Sequence, residues 1–187
     1  HHFLEHNDTT KKFYGIIPVE FSAAMLYFHQ KGIVQNLIHN LKYKKHQEIG
    51  TLLGKWYAKD LESVANIKTV SEIIPVPLHK KRLEERGYNQ ITTFCEALSN
   101  ELKIPYNPNL LYRSRYSKTQ TKKDKENRKD ITNALFDVHF TEADSNKHFL
   151  LVDDVMTSGA TLEACAKALL KIPNSKVSIV TIAYTQS

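Results

Sequence analysis

The chain of 187 residues has little of what would place it in several large protein classes. It contains no run of about 18 apolar residues, so no membrane-spanning helix is expected. No series of charged, then apolar, then small residues opens it, and no secretory signal is visible. Cysteine is scarce: Cys95 and Cys165 are the two present. Each falls in a helix-like stretch and neither belongs to a C-x-x-C pair, which excludes a zinc knuckle and a disulfide framework. They read as reduced core thiols of a cytoplasmic protein. The histidines are scattered, with His2 and His6 a weak pair, and no metal site is expected from them. No G-x-G-x-x-G occurs, which removes the dinucleotide fingerprint. No internal repeat and no low-complexity linker interrupts the chain. It opens on His1 rather than Met, from which we expect a piece to lie upstream.

What is present describes an ordinary soluble domain. Hydrophobic residues make up 41% and charged residues 25%, the usual globular balance. The formal charge is +6, with lysine and arginine crowded between Arg113 and Lys129. Such a charge suits a polyphosphate ligand or a nucleic-acid backbone and does not decide between them.

The apolar pattern predicts strands over residues 19–28, 72–76, 110–115, 134–140, 148–153 and 176–184. It predicts helices over 32–43, 46–61, 83–102 and 159–172, the third broken in its first turns by Gly87. In the second, Ile49, Leu52, Leu53, Trp56 and Tyr57 share one face, and Trp56 and Tyr57 read as core. Residues 116–127 are polar and lysine-rich without a period and read as a loop. The late strand–helix–strand order with short connections indicates a βαβ unit and a parallel sheet. The fold class is α/β.

The segment from Phe149 to Leu162 (FLLVDDVMTSGATL) carries most of the chemistry. An apolar strand ends in Asp153 and Asp154 and is followed by a short Thr/Ser/Gly loop that opens a helix. Thr157, Ser158, Gly159, Ala160 and Thr161 offer backbone N–H groups and hydroxyls at the positive end of a helix dipole, which suits a phosphate. Gly159 lets the backbone approach closely. Two carboxylates cannot also bind phosphate. They suit sugar hydroxyls, or help to hold Mg²⁺. A phosphate and a diol side by side describe a ribose 5-phosphate.

Three other readings compete. A Walker B strand also ends in acids but requires G-x-x-x-x-G-K-[ST]. The nearest match, Gly50 to Trp56, is one residue short, has Trp where Ser or Thr must bind Mg²⁺, and falls in an amphipathic helix. A Rossmann site lacks its glycines. A simple helix cap by Thr157 or Ser158 explains one or two residues but not the double acid.

Residues 152–161 resemble the signature of type I phosphoribosyltransferases, and the chain from about Phe13 to Tyr184 is similar to the ComF (competence protein F) branch. The markers are Leu41-Lys42-Tyr43, then Ile74-Pro75-Val76-Pro77-Leu78-His79, then Arg82-Leu83 and Arg86-Gly87-Tyr88-Asn89-Gln90. Thr119-Gln120 and Arg128 with Asn133 follow. The resemblance implies a type I phosphoribosyltransferase-like fold, with a mostly parallel central sheet flanked by helices. Residues 1–62 would form a hood-like region and 63–187 the core. It implies that Thr157 to Thr161 hold the 5-phosphate of phosphoribosyl pyrophosphate and that Asp153 and Asp154 meet the ribose hydroxyls. Lys80 and Lys81 would lie in the loop that contacts pyrophosphate, residues 116–127 would close over the ligand, and Mg²⁺ would accompany it. Members of this branch often carry a cysteine-based zinc module before the hood, and this sequence has none.

Two functions are consistent with that layout. One is a cytoplasmic protein of DNA uptake in natural transformation, with single-stranded DNA as a second partner and Tyr112 and Tyr116 available for stacking. The other is an active transferase of nucleotide salvage, in which a nitrogen nucleophile displaces pyrophosphate from the ribose. No residue stands out as a general base for it. A regulator responsive to the same ligand would need a helix-turn-helix, which is not recognisable here.

Overall fold

Phe149, Leu150, Leu151 and Val152 have no exposed surface at all, and that single fact dictates the layering. A strand whose successive side chains alternate between faces can bury four in a row only if both faces are covered. The computed structural model describes residues 7–114 and 135–185. Its central sheet contains β1 (Ser22–Tyr27), β2 (Glu72–Pro75), β5 (His148–Met156) and β6 (Lys176–Tyr184) in the order β1-β6-β5-β2. All three pairings are parallel. The strand expected in region 1–62 is thus an edge of the central sheet. β3 (Leu111–Arg113) and β4 (Phe136–Val138) form a separate antiparallel ribbon.

Six α-helices lie among the described residues: α1 (Asp8–Lys11), α2 (Ile33–Tyr43), α3 (Gln47–Leu61), α4 (Lys80–Arg86), α5 (Thr92–Leu102) and α6 (Ala160–Leu169). One face of the sheet packs Leu150, Val152, Val180 and Ile182 against Ile38 and Leu41 of α2, Leu53 and Tyr57 of α3, and Phe94 and Leu98 of α5. The other packs Phe149, Leu151 and Ile179 against Leu162, Cys165 and Leu169 of α6, with Phe13 and the β3–β4 ribbon alongside. Both cysteines are free and buried, and burial pushes both thiols well up. The α/β layering and the parallel βαβ unit expected from the pattern are present.

Three local expectations are corrected. The helix expected over 83–102 does break at Gly87, but into two separate helices, the first beginning at Lys80 and the second at Thr92. Gly87, at φ 78°, takes the left-handed conformation that ends α4, its N–H donating to the Leu83 carbonyl at 2.7 Å, as helix-terminating glycines do. The strand expected over 148–153 runs on to Met156. Asp153, paired with Thr181, therefore lies within the sheet rather than past its end. Finally, the buried face of α3 is Gly50, Leu53, Gly54, Tyr57, Ala58 and Leu61, and Trp56 is 56% exposed. Gly50 and Gly54 cause this shift. A Cβ at Gly54 would stand 2.7 Å from the Phe94 carbonyl oxygen, so α5 approaches along the glycine face and the bulky residues turn outward.

The fold also places a crevice. α5, reached from β2 through α4, covers one face, while α6, which follows β5, covers the other. β2 and β5 are neighbours, so their chains leave to opposite sides at the carboxyl ends. In open parallel sheets ligands bind at such a divergence.

Candidate functional site

Asp153 and Asp154 stand at this carboxyl end of β5, on opposite faces because strand side chains alternate. Asp154 is 5% exposed and points to the face of α2 and α5. Lys42 Nζ of α2 lies 2.9 Å from its Oδ1, and Gln90 Nε2 donates to its Oδ2 at 2.5 Å. Gln90 is itself held by Arg86, whose Nη1 donates to Gln90 Oε1 at 2.6 Å. The Arg86 guanidinium stacks 4.8 Å from the centre of the Tyr43 ring. Tyr88 donates its hydroxyl to the Leu41 carbonyl at 2.7 Å, and Asn89 Nδ2 donates to the Val76 carbonyl at 3.0 Å. A carboxylate this deep requires such partners.

Asp153 is placed differently. Its Oδ1 accepts the N–H of Asp154 at 2.8 Å. Burial, and after it the neighbouring Asp154 carboxylate, hold its carboxyl above the usual range. The two acids therefore present unlike groups: one paired with a cation, the other disposed to keep a proton.

The loop after β5 leads directly into α6. Thr157 and Ser158 are exposed. Gly159 is buried at φ 82° and precedes α6 with no side-chain cap. The first N–H groups of a helix have no partner within it. Here Ala160 N–H reaches Ser158 Oγ at only 3.4 Å. A small pocket of about 50 Å³ is lined by Asp153, Val155, Met156 and the run from Thr157 to Leu162. One acid and the whole loop thus face the same space, with room for one small group. From the other side, the Phe13 ring lies 3.4 Å from where a Cβ on Gly159 would be.

Lys80 and Lys81 are not brought to this pocket. Both are exposed on α4 and pair with Glu84 at 3.6 Å and Glu85 at 4.0 Å. Exposed pairs of this kind contribute little to stability. The cations that do converge are Lys42, Lys45, Arg82 and Arg86, which with Tyr43, Glu85 and Tyr88 line a cleft of about 250 Å³. Thr119, Gln120, Arg128, Asn133 and the expected closing loop at 116–127 lie outside the described residues.

Among the described residues no group of three or more His, Cys, Asp or Glu side chains could hold a metal ion. Mg²⁺ does not need such a cage when substrate phosphates and water supply most of its ligands. The acids at the end of β5 are compatible with an ion that arrives on a phosphorylated ligand.

Lys42, Gln90 and Arg86 are the site residues that sequence reasoning did not assign. The markers Leu41-Lys42-Tyr43 and Arg86-Gly87-Tyr88-Asn89-Gln90 contained all three, without saying that both motifs converge on Asp154.

Residues 92–187 match the family model described as "Phosphoribosyl transferase domain". The chain is 32% identical over 152 residues to Competence protein F of Haemophilus influenzae, covering 76% of this chain and 64% of that protein. It is 29% identical over 138 residues to DNA utilization protein YhgH of Shigella flexneri, covering 72% and 60%. Competence protein ComFC of Bacillus subtilis is 36% identical over 99 residues, covering 53% and 38%. The chain thus spans less than two thirds of these relatives' length. The adenine phosphoribosyltransferase of Leishmania tarentolae aligns over 87% of this chain and 91% of its own, at 11% identity and a TM-score of 0.47, too distant to carry residues across.

Proposed function

The chain belongs to the phosphoribosyl transferase domain family, in its competence protein F branch, and on that premise we propose that it binds phosphoribosyl pyrophosphate at the end of β5. The observation that carries this reading is the shared lining of one pocket by Asp153 and the Thr157–Leu162 run. A phosphate receptor and a hydroxyl receptor there lie within one sugar's length. In this reading Thr157, Ser158, Gly159, Ala160 and Thr161 receive the 5-phosphate. Asp153, which lines the pocket, and Asp154, on the other face of β5, accept hydrogen bonds from the ribose hydroxyls. Lys80 and Lys81, on the helix after β2, remain the candidates for contact with the pyrophosphate arm.

Mg²⁺ bound to the pyrophosphate oxygens would supply charge neutralisation for the leaving group. The chain's own part is to fix the sugar by its phosphate and its diol, so that C1 and the leaving group are held in one orientation. If transfer occurs, a nitrogen nucleophile bonds to C1 as the C1–O bond breaks and the electron pair leaves with pyrophosphate. The process we assign is cytoplasmic handling of DNA during uptake. This assignment is favoured by the names of the relatives and by the +6 charge, which would draw single-stranded DNA.

Calorimetric titration of phosphoribosyl pyrophosphate, with and without Mg²⁺, tests the site. Saturable binding that weakens without Mg²⁺ is expected, and it is expected to vanish in a folded Asp153→Ala, Asp154→Ala variant. Unchanged affinity in that variant would remove the acids from the reading.

A further inference from the structure

Lys42 has no part in the reading above, yet no other cation is paired with so deeply placed an acid among the described ion pairs: its side chain is 22% exposed and that of Asp154 is 7%. Three elements meet there. Lys42 comes from α2, Gln90 from the turn before α5, and Asp154 from β5. Among the described residues each Asp154 oxygen has one partner, at 2.9 Å from Lys42 Nζ and 2.5 Å from Gln90 Nε2. A carboxylate has about four acceptor positions, so the carboxylate is fixed in orientation while part of its accepting capacity remains open. Arg86 fixes Gln90 in turn. The arrangement is a braced acceptor.

Stability does not account for the brace. Removing two charges from water costs about as much as their attraction returns, and buried pairs are weak sources of stability. A braced acceptor, by contrast, suits recognition of a diol, because a group already held in its bound orientation has less to lose on binding. We propose that Lys42 is a positioning residue for the ribosyl ligand: it orients the Asp154 carboxylate toward the sugar hydroxyls, with Gln90 as the second brace. This rests on the reading of the acid pair given above.

Two ligands separate this from other roles. One is ribose 5-phosphate. The other is tetrahydrofurfuryl phosphate, which keeps a five-membered ring and a phosphate but lacks the hydroxyls. In Lys42→Met, affinity for the first is expected to fall about tenfold or more, while affinity for the second stays at the wild-type value. Lys42→Arg is expected to restore most of the loss, since it returns a cation to Asp154. Gln90→Met removes the other brace and is expected to cost several-fold on the first ligand only, which keeps the test alive should Lys42→Met fail to fold.

Wild-type affinity in a folded Lys42→Met would overturn the positioning role while leaving the ligand reading intact. Equal losses on both ligands would also overturn it, because they would mark Lys42 as a phosphate contact or a general support. No binding of phosphoribosyl pyrophosphate by the wild type would sink the ligand reading itself, and this inference with it.

Discussion

The ring of Phe13 stands 3.4 Å from the point that a Cβ on Gly159 would occupy. Gly159 is also in the left-handed region at φ 82°, which an L side chain enters at a cost of roughly 1–2 kcal/mol. Gly159→Ala is therefore expected to lower stability by about 1 kcal/mol and to weaken ribosyl-phosphate binding by more than stability alone explains, since it disturbs the loop backbone itself. Denaturant midpoints and a binding isotherm on the same sample check both. A fully stable variant that binds like the wild type would contradict the anion-loop assignment.

On α3 the two faces should respond in opposite ways. A Cβ at Gly54 would meet Ala97 Cβ at 2.6 Å and the Phe94 carbonyl oxygen at 2.7 Å. Gly54→Val is expected to cost about 1–3 kcal/mol, the usual penalty for overfilling a packed interior. Trp56→Ala, on the exposed side of the same helix, should stay within about 0.5 kcal/mol. Urea midpoints decide. A larger loss at Trp56 than at Gly54 would reverse the face assigned to the core.

The acid pair predicts a pH effect of definite sign. Burial first, and the Asp154 carboxylate second, raise the Asp153 carboxyl. The folded state then keeps a proton that the unfolded chain releases near pH ~3.9. This group's contribution is therefore greatest at acid pH and declines as pH rises through the folded value. Asparagine cannot titrate and keeps an oxygen for the Asp154 N–H. Asp153→Asn is expected to raise the melting temperature by an increment that grows from about pH 4 to about pH 8. An increment that is flat or shrinks over that range would contradict the raised carboxyl.

How far the sequence could be read depended on whether an element's cause was local. The strand expected over 176–184 and the observed β6 (Lys176–Tyr184) coincide, because a β-branched run buried on both sides carries its own signal. β5 was read three residues short because aspartate is depleted in strands. What keeps Asp154 there is contact with Lys42 and Gln90, which no local window includes. The buried face of α3 was misread since glycine scores as neither apolar nor bulky, although close helix contact is what glycine permits. That Asp153 and Thr157–Thr161 share one pocket was legible because strand, acids and loop are contiguous. The brace of Lys42, Gln90 and Arg86 was not, since its members come from separate elements.

The claim most worth testing is that a ribosyl phosphate sits on the loop between β5 and α6. Amide chemical shifts in ¹⁵N-labelled protein report this residue by residue as phosphoribosyl pyrophosphate is added with Mg²⁺. The account predicts saturable shifts concentrated at Asp153, Asp154 and Thr157 to Leu162, with smaller ones at Lys42 and Gln90. Saturation with shifts confined elsewhere, such as Lys80 and Lys81 alone, would contradict it.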